Sequence, residues 1–194
     1  MFPVKTMPLL ITGLVLFLGI HFVPAFPALR ARLSGRLGAQ RYKVLFALIS
    51  AAGLALIVIG YMHSPATERV FAPVPAAIAI APLALTLSFI LFAAANMRGY
   101  LRHALKHPML IGLGLWALVH LLANGDLRGT VLFGAFLAYA LLDLMSAISR
   151  RAVKTFVPRI KYDVMAVIGG GAVAFGVMVL HRMFFGVPVV SFGV

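Results

Sequence analysis

Trp116, His120 and Asn124 stand one helical turn apart within KHPMLIGLGLWALVHLLANGD, residues 106–126. Spacing of i, i+4, i+8 sets them on one stripe of a helix. Counted from Pro108, His120 lies about 18 Å along such a helix, near the middle of a bilayer. An ionisable side chain at that depth faces the protein interior and marks a functional site. The plainer reading is a histidine hydrogen-bonded across helices, with Trp116 as packing. His21 closes a second apolar run, where the plainer reading is an interfacial histidine beside a basic loop. Two histidines on separate runs allow a sharper reading. Imidazole ligates haem iron, and helix bundles hold haem between facing helices. The Phe, Leu and Met around both residues suit a flat apolar macrocycle.

The remaining histidines divide by position. His103 lies in a basic loop and His63 at the end of an apolar run, so both read as solvated or interfacial. His107 precedes an apolar run and His181 lies inside one, and both stay in consideration. A directly bound metal ion is disfavoured, because no Glu-x-x-His occurs and the one His-x3-His spacing, His103 to His107, falls in a basic connection. Asp143 falls inside an apolar run, where an unpaired carboxylate is costly. It is expected to pair with a loop arginine or to orient a histidine through its ring N–H. Asp163 reads as a helix-start residue favoured by the dipole, and Asn124-Gly125-Asp126 as a turn. With four carboxylates and no Gly-x-Ser-x-Gly, hydrolytic acid–base chemistry lacks its groups. The absence of cysteine removes thiolate catalysis, iron–sulfur clusters and cysteine-ligated zinc.

The elements that must position these residues are membrane spans. Of 194 residues, 63% are hydrophobic and 11% charged, against about a quarter charged in soluble domains. Six apolar runs reach or approach spanning length: 7–26, 44–62, 72–96, 109–125, 129–148 and 164–185. Pro24 and Pro27 close the first. Pro73, Pro75 and Pro82 make the third start late or kink, and the fourth is short. The first run has only Lys5 ahead of it and a basic loop after it, so it reads as a retained span rather than a signal peptide.

The net charge of +13 falls between the runs rather than on a soluble basic face, which argues against nucleic acid as a partner. Loops 27–43, 97–107 and 149–163 carry most of it and share one side if there are six spans. Lys5, Arg69, Arg128 and Arg182 fall on the other. The positive side is cytoplasmic, which puts both termini in the periplasm of a Gram-negative cell and the chain in its inner membrane. The expected architecture is all-α: a polytopic transmembrane helix bundle of about six spans, one domain over residues 1–194, with membrane lipid as its surroundings. Gly112 and Gly114, and Gly169, Gly170, Gly171 and Gly176 with Ala172, are expected to allow close helix approach. A phosphate loop is excluded, because no Lys-Ser/Thr follows the glycines.

The order of motifs resembles the NnrU family over nearly the whole chain. The long stretch LRHALKHPMLIGLGLWALVHLLANGDLRGTVLFGAFLAYALLDLMSA carries most of the likeness. FLGIHFVPAFPALRARL and LHRMFFGVPVV support it at the two ends. That family takes its name from an association with nitrite and nitric oxide reduction in denitrifying bacteria. It is similar to the plant and cyanobacterial 15-cis-zeta-carotene isomerases, which carry haem b on two histidines. The resemblance implies haem b held by His21, in LGIH, and His120, in LWALVH, between spans one and four. His107, in KHP, matches a further family histidine. His21 with His107 is the rival pair, and His181 a third candidate better placed for an electron or quinone contact.

The resemblance implies a redox role linked to nitrogen-oxide metabolism. His21 and His120 are then axial ligands, Trp116 and Asn124 line or orient the site, and Asp143 supports it. A second reading is a haem-dependent isomerase or oxidoreductase acting on an apolar polyene or quinone. The chain lacks the isomerases' N-terminal extension and the charged segment after span five, which counts against that substrate. A third reading is a non-catalytic accessory or assembly protein whose polar residues only join helices. The KHP element is also similar to isoprenylcysteine methyltransferases, whose nucleotide cofactor needs polar residues near the C-terminal helices, but span six is apolar and glycine-rich, with no glutamate.

Overall fold

The computed structural model describes residues 6–66 and 68–186. Among these the chain is helical, with one isolated β-bridge between Arg69 and Asp126. The helices are α1 (Thr6–Phe22), α2 (Pro27–Leu37), α3 (Ala39–His63), α4 (Pro75–Ala94), α5 (Tyr100–Leu105), α6 (Pro108–Asn124), α7 (Leu127–Ser149) and α8 (Ile160–Phe185). A 3-10 turn, Val23–Ala25, prolongs α1. Proline starts α2, α4 and α6, where its missing N–H costs no helical bond and its fixed φ suits the first turn. Gly186, at φ 74°, ends α8 in the left-handed conformation that stops a helix cheaply.

Five helical segments are long and apolar enough to cross a membrane: Thr6–Ala25, Ala39–His63, Pro75–Ala94, Leu127–Ser149 and Ile160–Met183. Pro108–Asn124 is the shorter sixth, as its sequence predicts. These helices keep large apolar side chains on their outer faces, with Leu83 76% and Met183 72% exposed. Water does not tolerate such faces and lipid does, so the chain is an integral membrane protein in contact with lipid. Two boundaries differ from the expectation. The basic stretch 27–43 is not a loop, since it holds all of α2 and the first turn of α3. Arginine is a good helix former, and Pro27 supplies a start signal. The basic stretch 97–107 likewise contains α5.

The described residues fall into two compact units. The first comprises residues up to Phe71 with Gly125–Tyr139; the second comprises Ala72–Asn124 with the chain from Ala140 onward. In the first unit α1 and α3 run antiparallel and touch closely. Gly60 meets the Leu10 backbone, and Gly53 meets that of Phe17, with room for no side chain at either point. Close backbone approach of this kind is how helices associate where lipid offers no hydrophobic drive. At one end Arg128 Nη1 donates to the carbonyls of Tyr61 (3.1 Å) and Ser64 (2.9 Å), while its guanidinium lies 4.6 Å from the Tyr61 ring centre. It thereby satisfies carbonyls that the end of α3 leaves unpaired.

In the second unit α4 is central, packing on both α6 and α8. Gly112 of α6 sits against Ser88 and Leu91, and Gly170 of α8 against Ile90. Gly169, Gly171 and Gly176 meet nothing, and Gly114 has only the Ala140 methyl near it, so the glycine contact is narrower than the sequence predicts. At the other end of this unit Asp163 accepts the backbone N–H groups of Tyr100 (2.7 Å) and Leu101 (2.9 Å). The Arg159 N–H donates to the Arg98 carbonyl at 3.0 Å. These bonds bring two of the basic connections, 97–107 and 149–159, to one end of the unit.

Candidate functional site

His21 is in the last turn of α1, half-buried. Its Nδ1 lies 2.6 Å from the Phe17 carbonyl, one turn back. A carbonyl only accepts, so Nδ1 carries the proton and a neutral ring then presents its lone pair at Nε2. The ring centre is 4.3 Å from that of Phe17 and 5.1 Å, edge-on, from that of Phe46 on α3. Phe17 in turn meets Phe136 at 5.9 Å, and Phe22 meets Tyr139 at 4.8 Å. An aromatic wall therefore surrounds this imidazole within the first unit.

Two hydroxyls near this wall are out of place. Tyr42 Oη and Ser50 Oγ are buried and have no hydrogen-bond partner. With Phe46 they form a stripe of i, i+4, i+8 on α3. Tyr42 reaches the Phe46 ring at 6.3 Å. The antiparallel register that pairs Gly60 with Leu10 and Gly53 with Phe17 brings Ser50 opposite the level of Ile20 and His21. A buried hydroxyl without a partner costs about 1–3 kcal/mol, which fold and function must offset elsewhere.

His120 repeats the arrangement in the second unit. Its Nδ1 lies 2.8 Å from the Trp116 carbonyl, and the two rings are 5.0 Å apart at 44°. Trp116 packs on the buried cluster of Leu85, Ala174 and Met178. His181 lies near the C-terminal end of α8 in the same unit. Asn124 is on the predicted stripe, but its amide donates to the His120 backbone carbonyl (2.7 Å), not to the ring. It therefore steadies the helix turn that carries the imidazole.

The other predicted residues pair locally or support the backbone. Asp143 is 4.0 Å from Arg150 Nη2, one of the two pairings its position suggested. His107 precedes α6, and its carbonyl accepts the N–H groups of Leu110 and Ile111. His63 makes the same Nδ1 contact to a carbonyl one turn back, at 2.9 Å, but it is exposed. Burial and aromatic contact, rather than that bond alone, set His21 and His120 apart. Among the described residues no three His, Asp or Glu side chains converge to hold a metal ion. Haem makes no such demand, since the porphyrin supplies four ligands and the protein one or two. Sequence reasoning missed Phe17, Phe46, Tyr42, Ser50 and Tyr139. Phe17, four residues before His21, and Ser50, polar within the run 44–62, had readable signals.

A bundle of apolar spanning helices with polar residues inside defines a polytopic helical membrane protein. The family described as NnrU protein matches residues 9–189, nearly the whole chain. The chain belongs to the NnrU family. No curated protein and no solved structure matches it.

Proposed function

We propose that this NnrU-family membrane protein binds haem b and has a redox role in nitrite and nitric oxide metabolism at the bacterial inner membrane. The observation that carries the reading is the matched state of His21 and His120. Each is half-buried in an apolar helix, each is packed on an aromatic ring, and each has Nδ1 tied to a backbone carbonyl, so that ligation would fall to Nε2. That second bond fixes ring orientation and raises ligand basicity. Tyr42 and Ser50 add unpartnered hydroxyl donors beside the His21 wall, chemistry suited to the carboxylate arms of a porphyrin.

His21 and His120 would each hold haem iron through the imidazole, each judged on its own surroundings. Trp116 lines the His120 ring, Asn124 holds its helix turn, and Asp143 keeps a supporting place beside Arg150. His107 remains the rival ligand. Bound haem would supply an iron centre able to change oxidation state, with a quinone or a redox protein as partner. The link to nitrogen oxides rests on the family's association.

Protein purified from haem-replete cells, recorded oxidised and dithionite-reduced, tests the reading. Sharp α and β bands on reduction are expected, the signature of six-coordinate low-spin haem. His21→Ala and His120→Ala should each strip or convert the spectrum. A preparation with no Soret band would favour the accessory role instead.

A further inference from the structure

The second unit carries a feature that the haem reading does not use. At its basic end a cavity of about 620 Å³ opens between the 97–107 connection, the 152–159 segment and the first turn of α8. Arg98, Arg102, Lys154 and Arg159 line it, Thr155 adds a hydroxyl donor, and Phe156 and Tyr162 form aromatic walls. No carboxylate lines it. Asp163, next in sequence to the lining Tyr162, is 8% exposed and turned into the N–H groups of Tyr100 and Leu101, so it neutralises none of the four cations from within the cavity. The walls are held in place: the Arg159 N–H bonds the Arg98 carbonyl, and the Arg102 guanidinium lies 5.3 Å from the Phe156 ring centre.

We propose that this cavity is a binding site for the phosphodiester headgroup of an anionic membrane phospholipid. Arginine forks match phosphate oxygens in pairs, and three of the four cations are arginines. A soluble anion would need the charge alone. The surroundings supply more. Val157 is 80% exposed on the cavity's rim, and Ile160, at the first residue of the spanning helix α8, is 67% exposed. A polar basin bordered by bare apolar side chains at a span's end fits an amphiphile, with its head in the basin and its acyl chains along α8. Tyr100, 54% exposed, and Tyr162 stand where interfacial aromatics are expected. Basic pockets at the ends of spanning helices take anionic headgroups for these reasons.

Native mass spectrometry of the full chain in detergent tests the proposal. The probes are dihexanoyl-phosphatidylglycerol, dihexanoyl-phosphatidylcholine and inorganic phosphate. The glycerol lipid should bind at least about tenfold tighter than the choline lipid, and inorganic phosphate should bind far more weakly than either. Lys154→Gln should weaken the glycerol lipid about fivefold, and Arg98→Gln with Arg159→Gln by more. Arg30→Gln with Arg32→Gln on α2 removes equal charge outside the cavity and should change binding less than about twofold. Lys154 is exposed and lies outside any helix, so the single variant decides the matter if the double one fails to fold. Equal binding of the two lipids, or an α2 variant as weak as the cavity variants, would overturn the site. Phosphate binding as tightly as the glycerol lipid would make the occupant a soluble anion and overturn the lipid assignment.

Discussion

A methyl group added at Gly53 would lie 2.8 Å from the backbone nitrogen of Phe17. This contact joins packing to the site, because the Phe17 carbonyl also accepts the hydrogen bond from His21 Nδ1–H and the Phe17 ring lies against the imidazole. Backbone atoms cannot swing aside as a side chain can, so α1 and α3 must separate to admit the methyl. Gly53→Ala should therefore cost about 1–3 kcal/mol, the usual penalty of overpacking, and disturb the spectrum of any group held by His21. Gly19→Ala, on the facing helix α1 with nothing within 4 Å, is the control. It should leave stability unchanged or raise it by about 0.5–1 kcal/mol through helix propensity. Thermal unfolding of both variants in detergent checks the contrast; equal losses would refute the tight α1–α3 contact.

Asp163 is buried and satisfies two N–H groups at the start of α5, which leaves the basic end of the second unit dependent on one carboxylate. Asp163→Asn keeps one acceptor and presents an NH2 group where the second N–H points. A loss of about 1–3 kcal/mol is expected, with Asp163→Ala losing more. Proteolysis of the 97–107 connection should rise in parallel, since that connection is what the carboxylate holds. Unchanged protease resistance would show that the backbone bond between Arg159 and Arg98 suffices.

How much of this was legible beforehand depends on what each residue faces. The six apolar runs and their proline starts are local signals, and the helices follow them. Gly169, Gly170 and Gly171 show the limit. Successive helix residues turn about 100° from one another, so only one of the three can meet α4, and nothing in the sequence says that it is Gly170. Phe46 is hidden for a related reason. In water a buried face is apolar and an exposed face polar, but a spanning helix is apolar on both, so the period that would point Phe46 at His21 is erased. Polar residues within apolar runs keep their signal, which is why His120 and Asn124 stood out. Ser50 gave the same signal but drew no attention among small residues.

Arg128 places a cation against the last carbonyls of α3, where the helix dipole favours it, and over the Tyr61 ring. Charged hydrogen bonds of this kind contribute about 1.5–3 kcal/mol. Arg128→Ala should lower stability by about that amount. Arg128→Lys should recover part of it, because an ammonium replaces the charge but not the fork. Chemical denaturation of the three proteins under one detergent condition would show the order. A lysine variant no better than alanine would mean that the guanidinium plane over Tyr61, rather than the charge, carries the effect.

Tyr42 offers the sharpest test of what stands beside His21, because its hydroxyl has opposite consequences with and without a bound group. Left without a partner, the buried hydroxyl destabilises the chain, and Tyr42→Phe removes the defect while leaving the ring against Phe46. The apoprotein should then gain about 1 kcal/mol. If the hydroxyl donates to a porphyrin carboxylate, the same change deletes a charge-assisted hydrogen bond from the loaded protein. Haem retained through purification should fall, and the unfolding temperature of the loaded protein should drop while that of the apoprotein rises. Movement of both in the same direction would separate Tyr42 from the cofactor and leave His21 to be judged on its own spectrum.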